Sequence, residues 1–269
     1  MLLRIISAAV LIPAALAVVF LATPELYLAA LGIVGTLCLY EYYQLMSKLG
    51  ARGQPWFGYA GLWILLAGLR LAWLSAISLS SCLLLAAFLA AMWRRDSIRD
   101  RVLGMMVNLL GLLYLVFCLY PAFVVRFGFG PHAGLEWTLL VLAVTWVGDT
   151  AAFLGGKRFG RTKFAPRLSP NKTNEGAIAG LLAGMLVAVL LHYVVFVDLP
   201  LKHMIPAALL IGLFGQLGDL AQSMLKRAAE VKESGHLIPG HGGVLDRIDS
   251  LLFAFPVLCL YLQLAYSVR

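Results

Sequence analysis

Charge is what this sequence has least of. Only 13% of its 269 residues are Asp, Glu, Lys or Arg, about half the share usual in water-soluble chains. A soluble fold of this length could not cover itself with polar side chains. That excludes an ordinary globular enzyme and leaves a bilayer as the main solvent. Cysteine is scarce too, and Cys38, Cys82, Cys118 and Cys259 all lie inside apolar runs. None has metal-ligand spacing, so a disulfide framework and a cysteine zinc site are both excluded. The spacing Gly-x4-Gly-Lys-Ser/Thr is missing, which excludes a Walker phosphate loop. There is no internal repeat, no low-complexity tract and no inverted pair of broken spans of the kind transporters carry. Acids are outnumbered, 13 against 21 bases, for a net charge of +8. The bases cluster between apolar runs, which points to membrane orientation and to headgroup or phosphate contacts, with no nucleic-acid partner.

What remains is overwhelmingly apolar. Hydrophobic residues make up 62% of the chain and the mean hydropathy is +0.91. The apolar runs are long and lack the period-two alternation of barrel strands, so in lipid they must be helices. They fall at about 2–22, 26–46, 58–74, 77–93, 102–125, 137–154, 177–197, 203–225 and 251–268. The expected fold is an all-α integral membrane protein, a polytopic bundle of about nine transmembrane helices. The first run is long for a signal-peptide core and no small-x-small cleavage site follows, so it reads as a retained helix. With nine spans, 17 Lys and Arg residues fall on the side of the amino terminus and four on the other. Positive charge marks the cytoplasmic face, which predicts a cytoplasmic amino terminus and a carboxyl terminus on the far side of a plasma or inner cell membrane.

The two halves of this one membrane domain differ. Residues 1–125 have short loops and spans nearly free of charge, as suits a scaffold. Residues 126–269 contain two polar connections, 155–176 and 226–250, far richer than topology requires. Two acids stand at membrane depth, Asp149 near the end of one span and Asp219 within another, and ionisable groups there are functional candidates. Asp219, Ser223 and Lys226 share one helix face by spacing. The turn Pro239-Gly-His-Gly-Gly243 is poor in side chains, so Gly240, His241, Gly242 and Gly243 can bring backbone N–H groups close to an anion. Immediately after it, Asp246 and Asp249 stand three apart on one helical face and repel each other unless a cation is near. With Asp219 they form an oxygen donor set of the type Mg²⁺ takes when it also holds phosphates. Lys226, Arg227, Lys232 and Arg247 supply positive charge for phosphate oxygens. His236 and His241 match no zinc spacing and read as hydrogen-bonding or phosphate-contacting groups. In the other connection, Ser169, Lys172 and Thr173 place hydroxyls and an ammonium just before a helix start, where a phosphate is well received.

The run Ser223-x-x-Lys226-Arg227, then Lys232, then Pro239-Gly-His-Gly-Gly243-x-x-Asp246-Arg247-x-Asp249 resembles the closing signature of the phosphatidate cytidylyltransferases, also called CDP-diacylglycerol synthases. Glu233 stands where that family usually has Asp. Asp149-Thr-Ala-Ala and Ser169-Pro-Asn-Lys-Thr-Asn-Glu-Gly176 are similar to further family motifs, although Asn174 replaces a common aromatic. The resemblance is specific over about residues 146–250 and elsewhere is one of hydropathy and length. It implies Mg²⁺-dependent transfer of CMP from CTP to phosphatidic acid, with release of pyrophosphate, and a homodimer. It further implies that Asp219, Asp246 and Asp249 bind metal, one ion or two. Asp219, Lys226, Asp246 and Arg247 become the catalytic set. Ser223, Arg227, Lys232 and the turn join Ser169, Lys172 and Thr173 in holding substrate. A CTP-using polyprenol kinase and an anion transporter are the alternatives.

Overall fold

The computed structural model describes residues 2–71, 76–196 and 199–267. The expected span ends at 72–74, 197 and 268, and the carboxyl terminus itself, lie outside the described residues. In chain order the elements are α1 (Leu2–Leu21), α2 (Pro24–Lys48), α3 (Pro55–Leu71), α4 (Ala76–Met92), α5 (Ile98–Phe127), α6 (Pro131–Phe159), β1 (Lys163–Ala165), β2 (Ser169–Thr173), α7 (Asn174–Val194), α8 (Leu201–Ala228) and α9 (Leu245–Ser267). Among the described residues six helices, α2 and α5 to α9, are long and apolar enough to cross a membrane. The other three expected spans correspond to α1, α3 and α4, of which the last two have 17 residues each, the short limit for a crossing.

Local sequence explains the helix ends. Thr23 caps α2, its side chain accepting from the Leu26 N–H at 3.4 Å, with Pro24 in the first turn and Lys48 in the last. Proline suits a first turn because its missing N–H would be unpaired there anyway, and a terminal cation suits the helix dipole. Beyond Leu49, Gly50 takes a positive φ of 76°, the left-handed conformation that closes helices. Pro121, Pro206 and Pro256 lie inside helices, as membrane helices tolerate.

Two compact units divide the chain. One comprises Met1–Tyr120 with Ala228–Arg247, the other Pro121–Arg227 with Ile248–Arg269. The first boundary falls at Pro121 within α5, where the ring removes a helix hydrogen bond. The polar connection at 226–250, grouped by sequence with the second half, belongs mostly to the amino-terminal unit.

In the amino-terminal unit α2 is tied to α5 by hydrogen bonds from Tyr42 Oη to the Val107 carbonyl and from Tyr43 Oη to Asn108 Oδ1, both 3.1 Å. Asn108 Oδ1 also accepts the Gln54 N–H at 2.8 Å, so a buried amide oxygen fixes the start of α3.

The second unit is built on close contact of α6 with α7. Gly176, Gly180 and Gly184 recur every four residues along one face of α7. A Cβ at Gly176 would stand 2.6 Å from the Ala152 carbonyl oxygen, and one at Gly180 would stand 2.8 Å from that of Gly148. Small residues at this spacing let two backbones meet inside a membrane. On other faces of α7, Ile178, Leu182, Leu186 and Leu190 are exposed, an apolar stripe suited to lipid.

The element missing from an all-helical expectation is the hairpin β1–β2, paired antiparallel as Lys163 with Thr173 and Ala165 with Ser169. Glu175, in the first turn of α7, anchors its entry by accepting from the Arg161 and Thr162 N–H groups at 3.0 and 3.1 Å and from Thr162 Oγ1 at 2.9 Å.

The α6–α7 contact predicts that Gly180→Val, which drives a branched side chain into the Gly148 carbonyl, destabilises the detergent-solubilised protein by about 1–3 kcal/mol. Leu182→Val, on the exposed stripe, leaves thermal unfolding within about 0.5 kcal/mol of the parent.

Candidate active site

Three carboxylates from three helices meet electrostatically in the second unit. Asp219 of α8 acts on Asp149 of α6 and on Asp249 of α9, and Asp149 acts on Asp249 as well. Two lysines oppose them. Lys172, on β2, bridges Asp219 with Nζ 2.6 Å from Oδ2, and its charge also reaches Asp149. Lys226, buried in the last turn of α8, acts on Asp249. Ser223 Oγ donates to Asp219 Oδ1 at 3.4 Å, the two lying one turn apart on α8. Asp249 Oδ1 accepts the Ser250 N–H at 2.7 Å. A crevice of about 10 Å³ lined by Thr145, Gly148, Asp149, Gly180 and Gln216 runs beside Asp149, which is about the room one water requires.

The Gly-rich turn lies in the amino-terminal unit. Gly240 and Gly242 take φ of 77° and 80°, a region that Cβ-bearing residues rarely enter. The Ile238 N–H donates to the Gly242 carbonyl at 2.9 Å and the His241 N–H to that of Ile238 at 3.0 Å, which closes the loop. Asp246, in the first turn of α9, commits Oδ2 to the Ser234 N–H at 2.7 Å, Ser234 Oγ at 3.0 Å and the Gly243 N–H at 3.3 Å. His241 Nδ1 lies 2.6 Å from Ser7 Oγ, within hydrogen-bond distance. The N–H groups of His241 and Gly243 are therefore engaged within the protein, so the turn's evident task is to hold Asp246 and the start of α9.

The remaining candidates divide. Arg227 Nε donates to the Leu168 carbonyl at 3.3 Å, tying α8 to the hairpin. Thr173 is buried and accepts the Gly176 N–H at 3.2 Å as the cap of α7. Ser169 opens β2 and is half-buried, while Lys232 and Arg247 are exposed. His236 Nδ1 lies 3.4 Å from Glu233.

Among the described residues no three His, Cys, Asp or Glu side chains form a ready-made metal cluster. The donor chemistry nonetheless fits Mg²⁺, which takes hard oxygen ligands, commonly one or two carboxylates completed by phosphates and water. Three acids opposed by two lysines leave negative charge that a divalent ion would balance.

Asp149, a functional candidate by its expected membrane depth, lies within the electrostatic reach of the other two acids. Two further polar residues escaped notice. Gln222, three residues after Asp219, is buried with neither side-chain polar atom hydrogen-bonded among the described residues, and a lone amide in a helical run gives no signal by composition. Glu41 in α2 meets the Gly-rich turn across a separation of about 200 residues, which no local pattern reveals.

Comparison with known proteins adds an independent finding. The model of the cytidylyltransferase family matches residues 2–265. Relatives bearing the name phosphatidate cytidylyltransferase include one from Staphylococcus aureus (strain COL), 42% identical over 147 residues that cover 53% of this chain and 56% of the relative. Another, from Bacillus subtilis (strain 168), is 41% identical over 131 residues, 49% of each chain. The match thus spans about half the length of these relatives.

The Lys172–Asp219 bridge predicts coupling between the two residues. Lys172→Met and Asp219→Asn each change stability, and the double variant departs from additivity by about 1 kcal/mol in a double-mutant cycle read by thermal unfolding. An additive pair means the bridge contributes nothing.

Proposed function

The chain belongs to the cytidylyltransferase family, and from that premise we propose that it is a phosphatidate cytidylyltransferase. It joins CTP and phosphatidic acid into CDP-diacylglycerol and releases pyrophosphate. The observation that carries this reading is the meeting of Asp149, Asp219 and Asp249 with Lys172 and Lys226. With a divalent cation held by its acids, such a group would suit two highly charged phosphates better than a neutral alcohol.

In the reaction a phosphate oxygen of phosphatidate attacks the α-phosphorus of CTP. The bond between that phosphorus and the oxygen bridging to the β-phosphate breaks, and pyrophosphate leaves with the electron pair. A phosphate monoester has its second pKa near 6, so the nucleophile needs no covalent enzyme intermediate. The protein contributes positioning and charge. Lys226, Arg227 and Arg247 clamp the triphosphate and the leaving pyrophosphate, with Lys232 beside them. Ser223 orients Asp219. Ser169, Lys172 and Thr173 hold nucleotide or lipid phosphate; Gly240, Gly242 and Gly243 leave the turn open to substrate, and His241 stands beside it. Asp219, Asp249 and Asp246 would hold Mg²⁺, or Mg²⁺ and a second cation, whose charge offsets the crowding of phosphates.

The same reading places nine spans in a plasma or inner cell membrane as a homodimer. Its amino terminus and active site face the cytoplasm. Phosphatidate keeps its tails in lipid and can be met only at headgroup depth, while CTP arrives from the cytosol. The 17-to-four asymmetry of Lys and Arg across the expected spans supports that orientation.

The test uses purified protein in detergent with phosphatidic acid, CTP labelled at the α-phosphate, and Mg²⁺. Label should enter lipid with one pyrophosphate released per turnover, and chelation of Mg²⁺ should abolish it. Lys226→Met should lower kcat about 100-fold. Label released as CDP would favour a kinase, and absence of turnover in folded protein would overturn the assignment.

A further inference from the structure

The carboxylate of Glu41 is a buried acid that the reaction scheme leaves without a task. It lies in α2, is 0% exposed, and no Lys or Arg bridges it among the described residues. A buried carboxylate is expensive unless its oxygens are met by donors. Glu41 Oε1 accepts the Val244 N–H at 2.9 Å, and Oε2 accepts the Leu245 N–H and Ser234 Oγ, each at 2.9 Å. These are donors at the very start of α9, where the helix dipole adds positive potential. Gly243 and Val244 precede that helix and bring no capping side chain, so the cap arrives from another helix.

The surroundings are shaped for this contact. A Cβ on Gly235 would stand 2.5 Å from Glu41 Oε1, and one on Gly243 would run into both the carboxylate and Ser234. The absence of side chains at these two positions is thus a demand of Glu41. The hydroxyl of Ser234 is shared: its Oγ lies 2.9 Å from Glu41 and 3.0 Å from Asp246 Oδ2, while the Ser234 N–H also holds Asp246. On the other side, Tyr42 and Tyr43 pin this turn of α2 to α5, so Glu41 is mounted on a fixed support.

We propose that Glu41 is a positioning residue, setting the Gly-rich turn and, through Ser234, the direction of the Asp246 carboxylate. The proposal rests on the cytidylyltransferase reading for its consequence in turnover, but not for the link itself. A local Ser or Asp would cap α9 at less desolvation cost. The buried alternative makes sense where the register of Asp246 must be held closely.

The experiment compares the parent with Glu41→Gln, which keeps the size and replaces one acceptor oxygen by a donor. Amide hydrogen exchange across residues 234–246, measured without substrate, should accelerate at least about 10-fold in Glu41→Gln while α6 and α7 keep their protection. In turnover, the Mg²⁺ concentration giving half-maximal rate should rise about 10–100-fold. A smaller folded fraction lowers the maximal rate but cannot move that midpoint. Unchanged exchange overturns the proposal; so does faster exchange with an unmoved midpoint, which makes Glu41 a structural cap only. If Glu41→Gln does not accumulate folded, Ser234→Ala, which removes the shared hydroxyl, is judged by the same two measurements. Should the parent turn over no substrate, the function assignment fails, while the exchange result still decides whether Glu41 holds the turn.

Discussion

A carboxylate on an apolar helix persists only where something offsets its charge, and the chain meets this constraint in two ways. In the second unit Asp219 is met by the ammonium of Lys172, and Asp249 lies in the field of Lys226. Lys172, partly exposed, is a long side chain that can rotate toward another anion, whereas Lys226 is buried. In the amino-terminal unit Glu41 is met by two backbone N–H groups and a serine hydroxyl. Backbone donors cannot turn away unless α9 itself shifts. One arrangement is exchangeable and the other is fixed.

The place of Lys172 in this arrangement depends on how closely α6 and α7 approach. Glycines at 176, 180 and 184 allow that approach, and the hairpin is tied to the same helix. Thr173 closes β2 and caps α7, and Glu175 binds the backbone at 161 and 162. Lys172 is therefore carried on a short strand fastened at the head of a helix that glycine packing holds against α6. A change at Gly180, which lines the crevice beside Asp149, would reach Lys172 through this chain of contacts.

Much of this was legible in the residues. Apolar runs marked the helices because lipid leaves a spanning backbone few other choices, and the asymmetry of polar connections marked where chemistry would gather. Spacing put Asp219, Ser223 and Lys226 on one face; all three lie on α8, and the structure adds a hydrogen bond from Ser223 to Asp219. What could not be read is non-local. The bridge from Lys172 to Asp219 spans 47 positions, and Glu41 meets its partners across about 200. A lone Glu in an apolar helix looks like a misplaced charge until the donors facing it are known. The hairpin was hidden for another reason: Ser, Pro and Asn are turn formers, and β1 has only three residues, too few for alternation to show.

Charge balance also explains why a cation belongs in the proposed chemistry. The acids Asp149, Asp219 and Asp249 outnumber the lysines acting on them. A triphosphate brought to such a group meets net repulsion from the very residues that make the site polar. Replacing an acid by a neutral residue would ease the approach of substrate, yet would remove an oxygen ligand. A divalent ion would resolve both demands, because it would turn each carboxylate from a repelling charge into a support for the phosphates. The excess of acid over base, which looks unsuited to an anionic substrate, would thus make the proposed site dependent on Mg²⁺.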